Sequence, residues 1–408
     1  MKPSALVKKQ IITRPFTLGV ILLSVWFLWS FNSNEQYGGY EWLVYYLIAL
    51  IAWEPVAAWL REGGRWVPAA ELFFLLHLQY YVSPFVNAKE EILELQPDLR
   101  IKIGLVVALY LAVCRVAYYF LRAMADKSRA RRIEILDRRL DFGPRQYIAW
   151  VGLVAWTLFS MALQRNWLPE LGANLNLIRS FFSAVGTLSM FILFYELGTG
   201  HLKRIATYFL ISVTLVCMFW SISSGFLVGA TIQAAVSLVA FSIGRKKIPI
   251  PAMLILIAVL SFLHAGKMEM RYQLWDEGKN YSTTERSVLD VYQLWIASSW
   301  KRITSTDSDE GKVPTIFDRG SLLQYLARVV EATPEELPYL NGNSYVESSA
   351  GFIPRIVWPD KPSGGAANDN LSIYYGFQTE DGVLKTAVGL GPICEAWGNW
   401  GWFGVCLI

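Results

Sequence analysis

Charged residues are scarce in this sequence, and their scarcity excludes an ordinary soluble domain. Asp, Glu, Lys and Arg make up 17% of the 408 residues, whereas 54% are hydrophobic and the mean hydropathy is +0.34. Soluble domains carry about 25% charged residues. The composition therefore predicts a polytopic membrane protein, and the modest net charge of +4 does not indicate a nucleic-acid partner.

Cysteine is also sparse, and it forms no motif for a metal or a cofactor. The four cysteines all lie in apolar runs, and their spacing forms neither a disulfide framework nor a metal-ligand set. The chain contains no glycine-rich nucleotide loop and no nucleophile elbow. We therefore expect no bound metal and no cofactor.

What the sequence does contain is long apolar runs. A helix that spans a bilayer needs about 20 predominantly apolar residues. Nine runs qualify, at 15–31, 41–60, 66–86, 101–121, 147–164, 180–198, 205–222, 226–243 and 248–265, and a tenth begins near Val388. These runs predict an all-α polytopic membrane protein with about ten transmembrane helices and one large extracytoplasmic loop between the ninth and the tenth.

The distribution of positive charge orients these helices. With the N-terminus in the cytoplasm, the inner segments, including the N-terminal one, hold nineteen Lys and Arg, whereas the short outer segments and the adjoining run ends hold five. Lys and Arg favour the cytoplasmic side. The predicted parts are a bundle at 1–265, an extracytoplasmic loop with short amphipathic helices at 266–387, and a tenth helix at 388–408. Because that run ends at Ile408 with no flanking charge, we expect a C-terminally truncated chain.

The polar segment at 318–362 carries most of the candidate chemistry. Its cations are Arg319, Arg328, Arg355 and Lys361. Apolar residues recur at helical spacing over 322–330 and predict a short helix with one apolar face. Arg328 then lies at the polar margin of this helix. There it either binds an anion or pairs with Gln324 or Glu331 on a solvated face.

Prolines stiffen the end of this segment. Pro354, Pro359 and Pro362 exclude a helix at 353–362 and present Arg355, Trp358, Asp360 and Lys361 from a fixed turn. The alternative is a rigid connector that only packs Trp358 at the membrane interface.

One carboxylate lies inside the last apolar run. A charge in such a run is costly and by default indicates function. Glu395 is therefore either a general base or the partner of an arginine in the loop.

Three stretches carry a family resemblance. They read Asn-Gly-Asn-Ser-Tyr at 341–345, Phe-Ile-Pro-Arg-Ile-Val-Trp-Pro-Asp-Lys-Pro at 352–362 and Val-Gly-Leu-Gly-Pro-Ile-Cys-Glu-Ala-Trp-Gly-Asn-Trp-Gly-Trp at 388–402. Together they resemble the Wzy-type O-antigen polymerases of bacterial membranes. Those proteins carry an Ile-Pro-Arg…Trp-Pro-x-Lys-Pro element in a large outer loop and a Glu-Ala-aromatic element that opens the next span.

The resemblance implies an enzyme at the outer face of the bacterial inner membrane. Such a glycosyltransferase joins undecaprenyl-diphosphate-linked oligosaccharide repeat units into the O-antigen of lipopolysaccharide or into exopolysaccharide. Its implied partners are these lipid-linked substrates, inner-membrane lipids and a chain-length regulator. The alternatives are an O-antigen ligase-like glycan transferase and, third, a transporter or flippase of lipid-linked sugars.

The resemblance also implies roles for single residues. Arginines bind phosphate oxygens in pairs, so three of them become candidates for the leaving diphosphate, and Glu395 becomes the base that takes the acceptor proton. The implied catalytic residues are Arg319, Arg328, Arg355 and Glu395. The implied substrate-binding residues are Lys361, Tyr345, Trp358, Asp360, Arg271 and Glu347, of which Glu347 is the second candidate base.

Overall fold

The chain folds entirely as helices wherever its backbone is described. The computed structural model describes residues 5–33, 36–62, 68–139, 146–165, 167, 174–223, 225, 227–275, 288–304, 320–350, 353, 357–358, 361–362, 365–383 and 388–408. Every regular element in these ranges is helical, which confirms the predicted all-α class. In chain order the helices are α1 (Ala5–Ser33), α2 (Gly39–Arg61), α3 (Ala69–His77), α4 (Ser83–Val86), α5 (Glu90–Leu93), α6 (Pro97–Arg139), α7 (Gln146–Gln164), α8 (Asn174–Thr199), α9 (Arg204–Ser223), α10 (Val228–Arg245), α11 (Ile250–Trp275), α12 (Val288–Thr304), α13 (Leu323–Ala332), α14 (Asn343–Ser349), α15 (Ala366–Tyr374), α16 (Glu380–Val383) and α17 (Pro392–Leu407).

Within the described residues, eight helices are long and apolar enough to cross a membrane. Their apolar windows are Pro15–Asn32, Gly39–Arg61, Pro97–Met124, Gln146–Leu163, Ile178–Thr199, Arg204–Ser223, Val228–Arg245 and Ile250–Arg271. A soluble fold cannot bury so many long apolar helices, so the protein is a multi-pass membrane protein. The predicted runs at 66–86 and beyond Val388 are not among the eight.

The run at 66–86 is helical but interrupted. A π-helical segment, Leu78–Val82, joins α3 to α4, and Pro84 follows it. Proline has no N–H and cannot bond the carbonyl four residues earlier. That carbonyl belongs to Tyr80, and it accepts the backbone N–H of Leu322 at 3.0 Å. The interruption therefore provides the attachment point for the start of α13.

The chain forms two compact units. The first comprises Met1–Gly64, Pro68–Ala130 and Phe317–Ile408, and the second comprises Arg65–Val67 and Arg131–Ile316. The parts predicted at 1–265, 266–387 and 388–408 are divided by membrane crossings, whereas these units are divided by internal contacts. The predicted ninth helix is also longer than its apolar run, because α11 continues to Trp275, well into the predicted loop.

In the first unit, the amphipathic helix predicted at 322–330 is confirmed as α13. Its apolar face is fully buried, and it joins one hydrophobic core with residues of α2, α4 and α6. The members of that face are Leu323, Leu326, Ala327, Val329, Val330 and Ala332. Burying one Leu or Val side chain contributes about 1.5–3 kcal/mol, so this short helix is held mainly by packing.

In the second unit, glycines let two helices approach closely. A Cβ atom on Gly198 of α8 would lie 2.4 Å from the carbonyl oxygen of Phe241, and one on Gly244 of α10 would lie 2.4 Å from that of Tyr195. Only glycine fits at both positions, so the two backbones are in direct contact, as small residues allow in membrane helix pairs. Elsewhere in this unit α12 packs on α11, where Trp295 is fully buried and its Nε1 donates to the Leu263 carbonyl at 2.6 Å.

Candidate functional site

The candidate site is built around a kink in α17. Trp400 (φ −147°, ψ 21°) and Gly401 (φ 55°, ψ −134°) leave the helical conformation, and the second of these conformations favours glycine. The kink frees the carbonyls of Gly398 and Asn399 from the helix. They accept the backbone N–H groups of Leu340 (2.9 Å) and Asn341 (3.3 Å) instead. The segment before α14 is thus hydrogen-bonded to the middle of the last helix.

The Asn399 side chain adds further hydrogen bonds between α17 and the residues at the start of α14. It is fully buried. Its Oδ1 accepts the N–H of Gly342 at 2.7 Å, and its Nδ2 donates to Ser344 Oγ at 2.7 Å and to the Glu395 carbonyl at 2.8 Å. Gly342 takes φ +91°, which favours glycine, so the turn into α14 is fixed by its own residue and by this amide.

Glu395 is held by this network but keeps one oxygen available. It lies in the first turn of α17 and is half-buried. Ser344 Oγ, itself aligned by Asn399, donates to Glu395 Oε1 at 2.7 Å. Among the residues that the structure describes, none forms a hydrogen bond or an ion pair with Oε2. A carboxylate fixed by one oxygen and open at the other is suited to accept a proton from a hydroxyl group.

Aromatic rings border the carboxylate. The rings of Tyr345 and Trp400 stack with centroids 5.4 Å apart and planes 27° apart, and both residues are half-buried. Burial, assisted by the negative charge of Glu395, raises the pKa of the Tyr345 hydroxyl to about 12. Tyr345 therefore stays neutral at physiological pH, and its hydroxyl has no hydrogen-bond partner in the described structure.

Two residues of α6 lie near aromatic rings of α14 and α17. The ammonium of Lys102 lies 5.3 Å from the centroid of the Trp397 ring, which is a cation–π distance. The buried Tyr110 lies near Tyr345. A carboxylate, hydroxyls and aromatic faces are the groups that recognise sugars, so the region around Glu395 is the candidate site.

The structure brings together two of the predicted site residues, Glu395 and Tyr345. Sequence reasoning missed the roles of Ser344, Asn399 and Trp400, although all three lie in the stretches that carry the family resemblance. For Asn399, the sequence signal that could have indicated a role is a polar residue between Gly398 and Trp400 in an apolar run.

Three of the cations predicted to bind substrate form ion pairs or hydrogen bonds with other residues of the chain. Arg328 Nη1 pairs with Glu336 Oε2 at 2.8 Å on an exposed surface. Lys361 Nζ donates to the carbonyls of Ala350 (3.0 Å) and Ile353 (2.6 Å), close to the C-terminal end of α14. In the second unit, the Arg271 guanidinium donates to the Gly225 carbonyl at 3.0 and 3.3 Å.

The other predicted residues lie on the surface or outside the described ranges. Glu347 Oε2 accepts the Asn370 amide at 2.9 Å, and Trp358 is exposed. Arg319, Arg355 and Asp360 lie outside the residues that the structure describes.

Comparison with known families gives a match to an uncharacterised domain family. A family model described as "Domain of unknown function (DUF8712)" matches residues 145–369, more than half of the chain. The match runs from the start of α7 into α15, so it includes Ser344 and Tyr345 and stops before Glu395 and Asn399. No curated protein and no solved structure matches the chain.

Proposed function

The chain belongs to the family described as a domain of unknown function, DUF8712, and we propose that it is a glycosyltransferase. In this proposal it polymerises undecaprenyl-diphosphate-linked oligosaccharide repeat units at the outer face of the bacterial inner membrane. The observation that carries the proposal is the Glu395 carboxylate, fixed by Ser344 and bordered by the Tyr345–Trp400 pair. The resemblance of the stretches at 341–345, 352–362 and 388–402 to Wzy-type polymerases supports the same reaction class.

The reaction needs one proton acceptor and one stabiliser of negative charge. The acceptor sugar hydroxyl loses its proton to Glu395 Oε2 while its oxygen bonds to the anomeric carbon of the donor. The bond from that carbon to the diphosphate oxygen breaks, and the diphosphate leaves with the electron pair. General-base assistance of this kind contributes about 10²–10⁴-fold in rate.

The leaving diphosphate needs cations, and the predicted cations differ in how available they are. Arg319 and Arg355 remain the proposed phosphate ligands. Arg328 is free to join them, since an exposed ion pair such as that with Glu336 contributes only about 0–1 kcal/mol and is easily exchanged. Lys361 is better assigned to holding the turn after α14, because releasing it leaves two carbonyls without its ammonium.

The proposal includes the finer topology, with the N-terminus in the cytoplasm. In it, the helical segment from α3 to α4 and the helix α17 complete ten crossings. Glu395, in the first turn, then lies at the outer boundary, where lipid-borne diphosphates and sugars meet.

The test is polymer formation from purified lipid-linked repeat units by the full chain in detergent. Glu395→Gln keeps an oxygen for Ser344 and removes the base, so only unextended repeat units should remain. Glu380→Gln, an exposed acid of α16, is the matched control and should give the normal ladder of lengths. Glu347→Gln tests the second candidate base. A normal ladder from Glu395→Gln would exclude the proposed base.

The same assay separates the alternatives. Transfer of a preformed polymer from its lipid carrier to a second lipid acceptor, with no extension of repeat units, would identify a ligase-like transferase. Movement of lipid-linked sugars across proteoliposome membranes without any new glycosidic bond would identify a transporter.

A further inference from the structure

We propose that a cavity in the second unit, among α7, α8, α9 and α10, binds a lipid whose head group combines a phosphate with hydroxyl groups. The cavity has a volume of about 400 Å³. Small-molecule sites in proteins occupy about 300–1,000 Å³. This site lies in a different unit from Glu395 and does not depend on the reaction proposed there.

Gln233 of α10 supplies the strongest evidence for a ligand. Its side chain lines the cavity and is only 4% exposed. Nε2 donates to Ser221 Oγ at 2.8 Å, which fixes the orientation of the amide. Oε1 has no hydrogen-bond partner in the described structure. A buried acceptor without a partner is costly, and a ligand hydroxyl in the cavity would satisfy it.

A polar stripe on α8 continues the same surface. Arg179, Ser183 and Thr187 recur at intervals of four residues and all line the cavity. Such spacing places them on one face of the helix. Arg179 forms no ion pair with any described residue, so its guanidinium is free to bind phosphate oxygens in pairs. The stripe therefore offers an anion site followed by two hydroxyls.

The neighbouring cavity explains why the ligand should be a lipid. It has a volume of about 890 Å³ and shares Arg179, Ser183 and Thr187 with the first cavity. Its remaining wall is largely apolar and includes Leu188 and Phe191. A polar compartment and an apolar groove that share one cationic edge fit an amphiphile, with its phosphate at Arg179, its hydroxyls toward Gln233 and its chain along the groove.

Two sources supply this chemistry, and lipid titration distinguishes them. The purified full chain, stripped of lipid in detergent, is titrated with phosphatidylglycerol, with a polyprenyl phosphate that carries a single sugar, and with phosphatidylcholine. Bound lipid is counted by native mass spectrometry. We expect at least ten-fold tighter binding of one of the first two over phosphatidylcholine, and the preferred lipid identifies the source. Equal affinity for all three would overturn the proposal.

Matched variants locate the binding. Arg179→Gln and Gln233→Met should each weaken it by about ten-fold or more, since each removes a hydrogen bond to the ligand. A Cβ atom on Gly229 would make only an ordinary contact, 3.5 Å from Ser221, so Gly229→Leu extends into the cavity and should also block binding. Ala235→Leu, on an exposed face of α10, is the control and should bind as the wild type does.

These variants remain informative if one of them folds poorly. Arg179→Lys keeps the charge and should restore most of the affinity lost in Arg179→Gln. Unchanged affinity in Gln233→Met and Gly229→Leu, each eluting as a folded protein, would show that lipid binds elsewhere. Because unaltered Glu395 is present throughout, loss of polymer formation in Glu395→Gln leaves this result unaffected.

Discussion

Replacing Asn399 by alanine should destabilise the protein more than the same replacement at an exposed asparagine. Asn399 is fully buried and joins the segment before α14 to the kinked helix α17. The substitution removes the acceptor of the buried Gly342 N–H and the donor that aligns Ser344 Oγ. The effect should reach Glu395, because Ser344 is the residue that holds its Oε1.

The size of the effect depends on which polar groups lose all their hydrogen-bond partners in Asn399→Ala. Ser344 Oγ keeps Glu395 as a partner, and the Glu395 carbonyl keeps its place in the helix. The Gly342 N–H loses its acceptor, and a buried group in that state costs about 1–3 kcal/mol. With the small void left by the missing amide, we expect a loss of about 2–4 kcal/mol in the free energy of unfolding.

The measurement is denaturant unfolding of the full chain in mixed micelles, followed by tryptophan fluorescence. Asn370→Ala is the control, because Asn370 bonds Glu347 on an exposed surface and its loss should cost less than about 0.5 kcal/mol. In a double-mutant cycle with Ser344→Ala, the coupling energy should be about 0.5–3 kcal/mol. The reasoning is refuted if Asn399→Ala unfolds within about 0.5 kcal/mol of the wild type.

Two further predictions concern the first unit. Gly401→Ala should lower the free energy of unfolding by about 1–3 kcal/mol or more, because φ is +55° there and the new Cβ would lie 2.6 Å from Tyr339 Oη. Gly39→Ala is the control and should be neutral in the same unfolding assay, since a Cβ at Gly39 has no atom within 4 Å. Arg100→Leu should lower the free energy of unfolding by about 3–5 kcal/mol, because it leaves the buried Glu41 without its ion-pair partner. The double variant Arg100→Leu/Glu41→Leu should recover stability, and a double variant that is no more stable than Arg100→Leu would contradict this reasoning.

The periodic parts of the fold could be predicted from the sequence. The helix at 322–330 followed from the spacing of its apolar residues, and its boundaries in the structure, Leu323–Ala332, differ by one or two residues. The eight long apolar helices followed from hydropathy for the same reason. In each case the signal is local. A helix that packs on a core needs one apolar face, and a helix that spans a bilayer needs an apolar surface all round.

Contacts distant in sequence could not be predicted in this way. Nothing in the sequence near Pro84 indicates that the freed Tyr80 carbonyl bonds Leu322. One of the two alternatives for Arg328 is a pair along its own helix, with Gln324 or Glu331. It pairs with Glu336 instead, because the chain turns back after α13, where the Glu336 N–H bonds the Ala332 carbonyl at 2.8 Å.

The site shows the same division between local and distant signals. Glu395 was identifiable because a charge stands out inside an apolar run, whereas its partner Ser344 is an ordinary serine in the sequence. The role of Lys361 depends on where the stiffened turn places its ammonium, and that is next to the carbonyls of Ala350 and Ile353. Composition and spacing carry no information on that placement.

The kink in α17 links the fold to the proposed chemistry. A buried carbonyl released from a helix is costly unless another donor replaces the lost N–H. The N–H groups of Leu340 and Asn341 replace it at Gly398 and Asn399, so the helix can bend only when the preceding segment is docked. The same docking brings Ser344 to Glu395. The backbone hydrogen bonds at the kink and the Ser344 side chain therefore order the proposed base together.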